Sequence, residues 1–331
     1  MVKSVDLTAQ PIPTMGHSKC WICGANLIDH YPETYTIREI FEWWSHEGYH
    51  FSQTVLKQFN HDKKISLNTC QECGFGMFIP TVTGSDEFYG ELAEMGQSWY
   101  YLKNKWEYGQ ALVDLKGCQN ILDVGCGEGH FVGLAEKQGI KATGLELNRD
   151  AAAKGCSKGL NVNVQTVEEF SFSHPDQFDG ITLFQVLEHL EEPLKTFLHT
   201  LQCLKHSGKI VITVPSTEGF LKALPPQLAN VPPHHVSRWT YKSIEKLASR
   251  HNLRILTLRH EPFWHYGFVP QMVCEYIRRK TGIDLWNMEA SMCMRKIINF
   301  LWRAPYKTLL LSFPKGIPMI RGHSLYAVLQ K

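Results

Sequence analysis

The run Ile121-Leu-Asp-Val-Gly-Cys-Gly-Glu-Gly-His-Phe constrains this chain more than any other stretch. A short apolar strand pattern, Ile121 to Val124, is followed at once by Gly125, Gly127 and Gly129, and a helical pattern starts near His130. Glycines between a strand end and a helix N-terminus let a ligand approach the backbone where no side chain intervenes. Glu146 closes the next apolar run about 20 residues on, where a carboxylate can accept both hydroxyls of a ribose. A dinucleotide fingerprint needs a glycine at the place held by His130, so its spacing fails by one residue.

Around this loop, short apolar runs alternate with helical patterns. Ala142 to Glu146, Val162 to Val164, Phe178 to Phe184 and Lys209 to Val214 read as strands, with helices over 131–138, 150–158 and 194–204 between them. Such alternation predicts an α/β fold with a Rossmann-like parallel sheet covered by helices on both faces. A helix over 240–251, a strand over 253–258 and a closing strand over 324–329 complete it. The chain divides into a loose tail (1–19), a small cysteine-bearing module (20–82), a helical linker or cap (83–116), a core (117–261), an aromatic and basic insertion (262–320) and the closing strand (321–331). Aromatic residues in the cap, Tyr89 and Tyr108 among them, could cover the site.

The net charge of +2 over 331 residues gives no broad basic field, which argues against nucleic acid and for a small-molecule partner. No run reaches the roughly 18 apolar residues of a membrane span, and the start lacks a secretion signal, so a cytoplasmic protein is expected. Four of the ten cysteines form Cys20-Trp-Ile-Cys23-Gly and Cys70-Gln-Glu-Cys73-Gly. Two such knuckles in a reduced chain predict one tetrahedral zinc ion on Cys20, Cys23, Cys70 and Cys73, structural because the site is closed. His30, His46, His50 and His61 fall between the knuckles, so an exchanged ligand stays open, and a redox pair is the weaker alternative.

The glycine run, with Gly144-Leu-Glu-Leu, Phe178-Asp and Val186-Leu-Glu-His-Leu, resembles the class I S-adenosylmethionine-dependent methyltransferases, within them the branch acting on small molecules and glycans. That resemblance implies a seven-stranded sheet with a final antiparallel strand, and cofactor contacts at Asp123, Gly125, Gly127 and Glu146. It also implies contacts at Cys126, Gly129, Leu147 and Val167, with Phe184 and Gln185 near the methionine part. Where many relatives carry an aspartate for the adenine amine, this chain has Thr166-Val167. The cysteine module, running through Cys73-Gly-Phe-Gly-Met-Phe-Ile-Pro to Phe88-Tyr89-Gly, is similar to the zinc-bearing N-terminal segment of nucleotide-sugar C-methyltransferases.

Methyl transfer needs a nucleophile in line with the methyl group and a base if the acceptor is protonated. His189, beside Glu188 on the helix after the fourth strand, is one candidate: the two resemble the Glu-His pair of some sugar C-methyltransferases, which implies a glutamate that orients the imidazole. His234 and His235, in the loop after the fifth strand at the ligand-binding edge of such a sheet, are the others. A structural role for each is the alternative. O- or C-methylation of a sugar or glycan precursor is the leading expectation; an RNA or protein methyltransferase, a binding module with a decayed loop, and a membrane-associated enzyme for a lipid-linked substrate are the competitors. The last draws on residues 295–321, whose basic and apolar mixture suits an anionic membrane or a lid.

Overall fold

The computed structural model describes residues 19–96, 102–219, 228–262 and 321–331. The expected tail and the 262–320 insertion, with its lid and membrane readings, lie almost entirely outside the described residues. Near the N-terminus come β1 (Leu27–Thr36), α1 (Ile37–His46), α2 (Gln53–Leu56), β2 (Lys64–Cys70) and β3 (Gly76–Ile79). Helix α1 starts where Thr36 accepts the Glu39 amide and the Glu39 carboxylate reaches back to the Thr36 amide, a reciprocal cap. Its apolar face, Ile37, Ile40, Phe41 and Trp44, packs with Phe51 and Phe88 in an aromatic cluster.

Two helices follow, α3 (Asp86–Met95) and α4 (Trp106–Asp114). The core then runs β4 (Asn120–Val124), α5 (His130–Lys137), β5 (Lys141–Leu145), α6 (Arg149–Ser157), β6 (Val162–Asn163), α7 (Val167–Ser171), β7 (Phe178–Phe184), α8 (Pro193–Cys203) and β8 (Leu204–Pro215). It ends with β9 (Ser237–Arg238), α9 (Tyr241–Arg250), β10 (Arg254–Pro262) and β11 (Arg321–Gln330).

Seven strands form one sheet in the order β10-β11-β8-β7-β4-β5-β6. The pairs β6–β5, β5–β4, β4–β7 and β7–β8 are parallel, while β11 inserts antiparallel between β8 and β10. The expected Rossmann-like sheet with an antiparallel closing strand is the observed one. Its central strands are buried on both faces, which is why β4 and β7 read as near-continuous apolar runs. The order reverses beside β4, so the crevice beyond the carboxyl ends of β4 and β7 is where such a sheet takes its ligand.

The N-terminal segment is less separate than its composition implied. Its four-stranded sheet, β1-β2-β3-β9, is completed by Ser237–Arg238, which come after β8. Cys20, Ile22, Cys70, Cys73, Phe75 and Met77 share an apolar cluster with core residues such as Trp239, Ile244 and Leu247. Thr240 caps α9 and donates to the Cys73 carbonyl at 2.6 Å, and Arg250 of the same helix donates to the Ile22 carbonyl at 2.9 Å. One helix thus receives both cysteine turns. Two residues of β9 are too short to announce this pairing in sequence.

Candidate functional site

A cavity of about 1030 Å³ opens at the carboxyl edge of the sheet. The glycine loop forms part of its wall. Gly125 sits at φ +73°, the left-handed region, and a Cβ there would lie 2.6 Å from Val186 Cγ2, so no other residue fits without displacement. The loop amides are consumed internally: Gly125 and Cys126 donate to the Leu145 carbonyl, Gly129 to the Cys126 carbonyl, and Gly127 to the Glu146 carboxylate at 2.7 Å. These amides are therefore not a nest for a pyrophosphate, in agreement with the misfit at His130.

Glu146 sits at the end of β5 and accepts one amide on each oxygen, Gly127 on Oε2 and Asn148 on Oε1 at 2.8 Å. A carboxylate has about four acceptor positions, so roughly two remain for hydroxyl groups on the cavity side. Burial pushes its pKa up, and the amides of Asn148 and Gly127 pull back. Leu147 next to it is 50 % exposed and lines the cavity, an apolar surface suited to a flat ring. Val167, Cys126, Phe184 and Gln185 also line it, and Gln185 donates to Ser324 Oγ at 3.1 Å from a positive-φ backbone. Thr166, where an aspartate was the alternative, caps α7 through a reciprocal bond with Glu169.

Asp123 stands elsewhere than expected. It is buried behind the wall, not among the cavity-lining groups, and Thr182 of β7 donates to it at 2.6 Å. Asp123 and Thr182 face each other in the parallel register of β4 and β7. Burial pushes its pKa up to about 7, although the Thr182 hydroxyl favours the ionised form. Gly129 lies outside the lining too and opens α5 at φ +74° against Leu160.

The three histidines converge. His189 and His234 have ring centroids 4.7 Å apart, His189 and His235 4.7 Å, and His234 and His235 4.3 Å, and all three line the cavity. Their Nδ1 atoms face oxygens: His189 the His234 carbonyl at 2.7 Å, His234 the Ala229 carbonyl at 2.9 Å, and His235 the Asn230 Oδ1 at 2.9 Å. A carbonyl oxygen only accepts, so each Nδ1 carries the hydrogen and each Nε2 the lone pair of the neutral ring. Burial keeps them neutral, pushing His189 down to about 4 and His234 and His235 well below their ordinary value.

Glu188 does not orient His189 in the way the sequence suggested. The two lie on a single 3-10 turn, Leu187–His189, ahead of α8, and Glu188 Oε1 is 3.9 Å from His189 Nε2, beyond hydrogen-bond range. The His234 carbonyl holds His189 instead. The Glu188 side chain is fully buried, with neither oxygen hydrogen-bonded among the described residues, and burial raises its pKa to about 8. Sequence reasoning passed over Lys105, Glu107, Asn230 and His323, which line the same cavity as Tyr89. Tyr89 donates to the His234 carbonyl at 3.2 Å, so α3 braces the histidine loop. Only the aromatic texture of residues 85–115 pointed toward it.

The four module cysteines form one group, with Cys20 Sγ and Cys73 Sγ 3.5 Å apart and Cys23 Sγ and Cys70 Sγ 3.5 Å apart. His50 and His61 bond Ser45 and the Leu56 carbonyl and do not join them.

Residues 107–258, just under half the chain, match the family model for a methyltransferase domain. A ubiquinone biosynthesis O-methyltransferase from Sodalis glossinidius is 32 % identical over 98 residues, 28 % of this chain and 39 % of that protein. One from Klebsiella pneumoniae is 28 % identical over 107 residues, covering 30 % and 44 %. The chain thus spans about two fifths of the length of these relatives. Among solved structures, an S-adenosylmethionine-dependent methyltransferase from Archaeoglobus fulgidus aligns at a TM-score of 0.46 and 20 % identity, over 75 % of this chain and 95 % of that one. No helix among the described residues is long and apolar enough to cross a membrane. The segment matched by that model carries the glycine loop, Glu146 and the three histidines.

Proposed function

We propose that the protein transfers a methyl group from S-adenosylmethionine to a small polar acceptor, with a hydroxyl oxygen of a sugar or glycan precursor as the favoured target. The observation that carries the reading is Glu146: a carboxylate locked to the glycine loop through Gly127, with acceptor capacity left over beside a large cavity. The group fits, because the positive φ and crowding at Gly125 keep the loop bare while Leu147 and Val167 offer apolar surface. Glu146 would hold the ribose hydroxyls, Leu147 and Val167 the adenine, and Phe184 and Gln185 the methionine end. Asp123 would act from behind the wall, fixing β4 to β7 through Thr182. When bound, the cofactor supplies a methyl group already activated on a sulfonium.

The remaining work falls to this chain's own residues. They must orient the acceptor, exclude water and take up a proton, and neutral imidazoles beside a buried carboxylate suit that task. The curated relatives are named O-methyltransferases, which favours oxygen, and the resemblance of the cysteine module to nucleotide-sugar enzymes favours a sugar. The near-neutral charge counts against RNA. Calorimetry of the intact chain with S-adenosylmethionine tests the donor: saturable one-to-one binding is expected, and no heat would overturn the reading. Labelled cofactor incubated with carbohydrate and lipid extracts would then identify the acceptor.

We also propose zinc on Cys20, Cys23, Cys70 and Cys73. A tetrahedral site with Zn–S near 2.3 Å sets sulfurs about 3.8 Å apart, close to the 3.5 Å spacings, so little movement is needed. Four thiolates leave no open position, so the ion would be structural. The eight described cysteines are all free thiols, which suits the cytoplasm.

A further inference from the structure

We propose that His189, His234 and His235, with the carboxylate of Glu188, form a second metal site, one that takes a divalent transition ion and presents it to the cavity. One ring nitrogen from each histidine lies within 4.8 Å of the others, close enough for one ion to draw them together. The orientation is the stronger point. Metal-bound histidines nearly always donate the other ring N–H to an oxygen, which fixes tautomer and ring direction. Here all three do so before any ion arrives, to the carbonyls of His234 and Ala229 and to the side chain of Asn230.

Glu188 supplies an independent observation. Its Oε1 lies 3.9 Å from His189 Nε2 and 4.0 Å from His235 Nε2, so the carboxylate converges on the same point as the imidazoles. The side chain is fully buried, with no hydrogen bond to either oxygen among the described residues. A buried carboxyl group without a hydrogen-bond partner is costly, and a cation at that point would stabilise its ionised form. Three imidazoles and a carboxylate select Mn²⁺, Fe²⁺, Co²⁺ or Zn²⁺ over Mg²⁺ or Ca²⁺, which prefer oxygen. Four protein ligands leave open positions in a five- or six-coordinate ion, and the cavity is the space from which an oxygen donor would fill them.

The metal site stands on geometry alone. Its use, holding the oxygen of the methyl acceptor, rests on the methyl-transfer reading. Full-length protein loaded with Zn²⁺ and desalted should carry two ions per chain by mass spectrometry. His234→Ala, His235→Ala and the size-conserving His235→Gln should each lose one, and the surface control His206→Ala should keep both. S-Adenosylmethionine binding in the same samples reports separately on folding and on the donor site, so loss of the ion and loss of the donor are told apart. One ion in the unaltered protein, or two retained in the cluster variants, would overturn the metal site. Acetohydroxamate, which binds metals through two oxygens, should shift the visible bands of cobalt-loaded protein. Unchanged bands would overturn the open position, since the four-thiolate site has none.

Discussion

The Gly127 amide donates to the Glu146 carboxylate at 2.7 Å, tying the loop that follows β4 to the end of β5. The acid therefore serves two masters, the loop backbone and any ligand hydroxyl that meets it in the cavity. Removing it should loosen both. Hydrogen bonds to a charged group contribute about 1.5–3 kcal/mol each, so Glu146→Ala should weaken S-adenosylmethionine by roughly 10- to 100-fold. Glu146→Gln, which keeps one acceptor oxygen, should fall between. Calorimetric dissociation constants decide, and equal affinity in all three proteins would remove Glu146 from the donor site.

Gly125→Ala tests the loop itself. A left-handed backbone costs an L-residue roughly 1–2 kcal/mol, and the new methyl would also collide with Val186 Cγ2. Thermal unfolding should show a loss of at least that size, with weaker cofactor binding. Adding Val186→Ala should recover the part due to the collision and leave the part due to φ. Full recovery would mean that crowding alone requires the glycine.

How much of this could be read from the chain follows from the range of each interaction. The strand–glycine–helix run, Glu146 and the cysteine knuckles are local patterns, which is why spacing alone singled them out. An antiparallel closing strand over 324–329 was expected from the family resemblance, while its place between β8 and β10 is set by pairing that the sequence did not give away. The partners of His189 were not legible, since the His234 carbonyl is 45 residues away and Tyr89 is 100. Sequence adjacency misled at Glu188, whose carboxyl group stays 3.9 Å from His189 Nε2 while the imidazole is held by the His234 carbonyl. Strand alternation hid Asp123 in the same way: its partner is Thr182 across the sheet, a contact set by register.

Asp123 makes stability depend on pH. Its pKa rises from 3.8 to about 7 on folding, so between those values the folded chain holds a proton that the unfolded chain has released. Its contribution is fully present below about pH 3.8 and is lost as pH climbs toward 7. Asp123→Asn removes this titration. The stability difference, variant minus unaltered protein, should therefore grow from pH 4 to pH 7 and level off above. A difference independent of pH over that window would show that Asp123 is ionised throughout.

Metal removal should unfold more than the cysteine turns. Cys20, Cys70 and Cys73 share their apolar cluster with Trp239 and Leu247, and Thr240 and Arg250 of α9 bond the backbone of both turns. Chelation, or Cys73→Ser, should therefore lower the melting temperature of the whole chain in one transition and release β9 from β3. The histidine loop precedes β9 directly, so cofactor-independent probes there should lose protection at the same time. Hydrogen exchange of residues 231–238 in the zinc-loaded unaltered protein and in zinc-loaded Cys73→Ser, both of which keep the histidine cluster, measures this coupling. If those amides stay protected while residues 19–25 and 70–76 open, the two cysteine turns are an independent unit and the ion does not support the cavity wall.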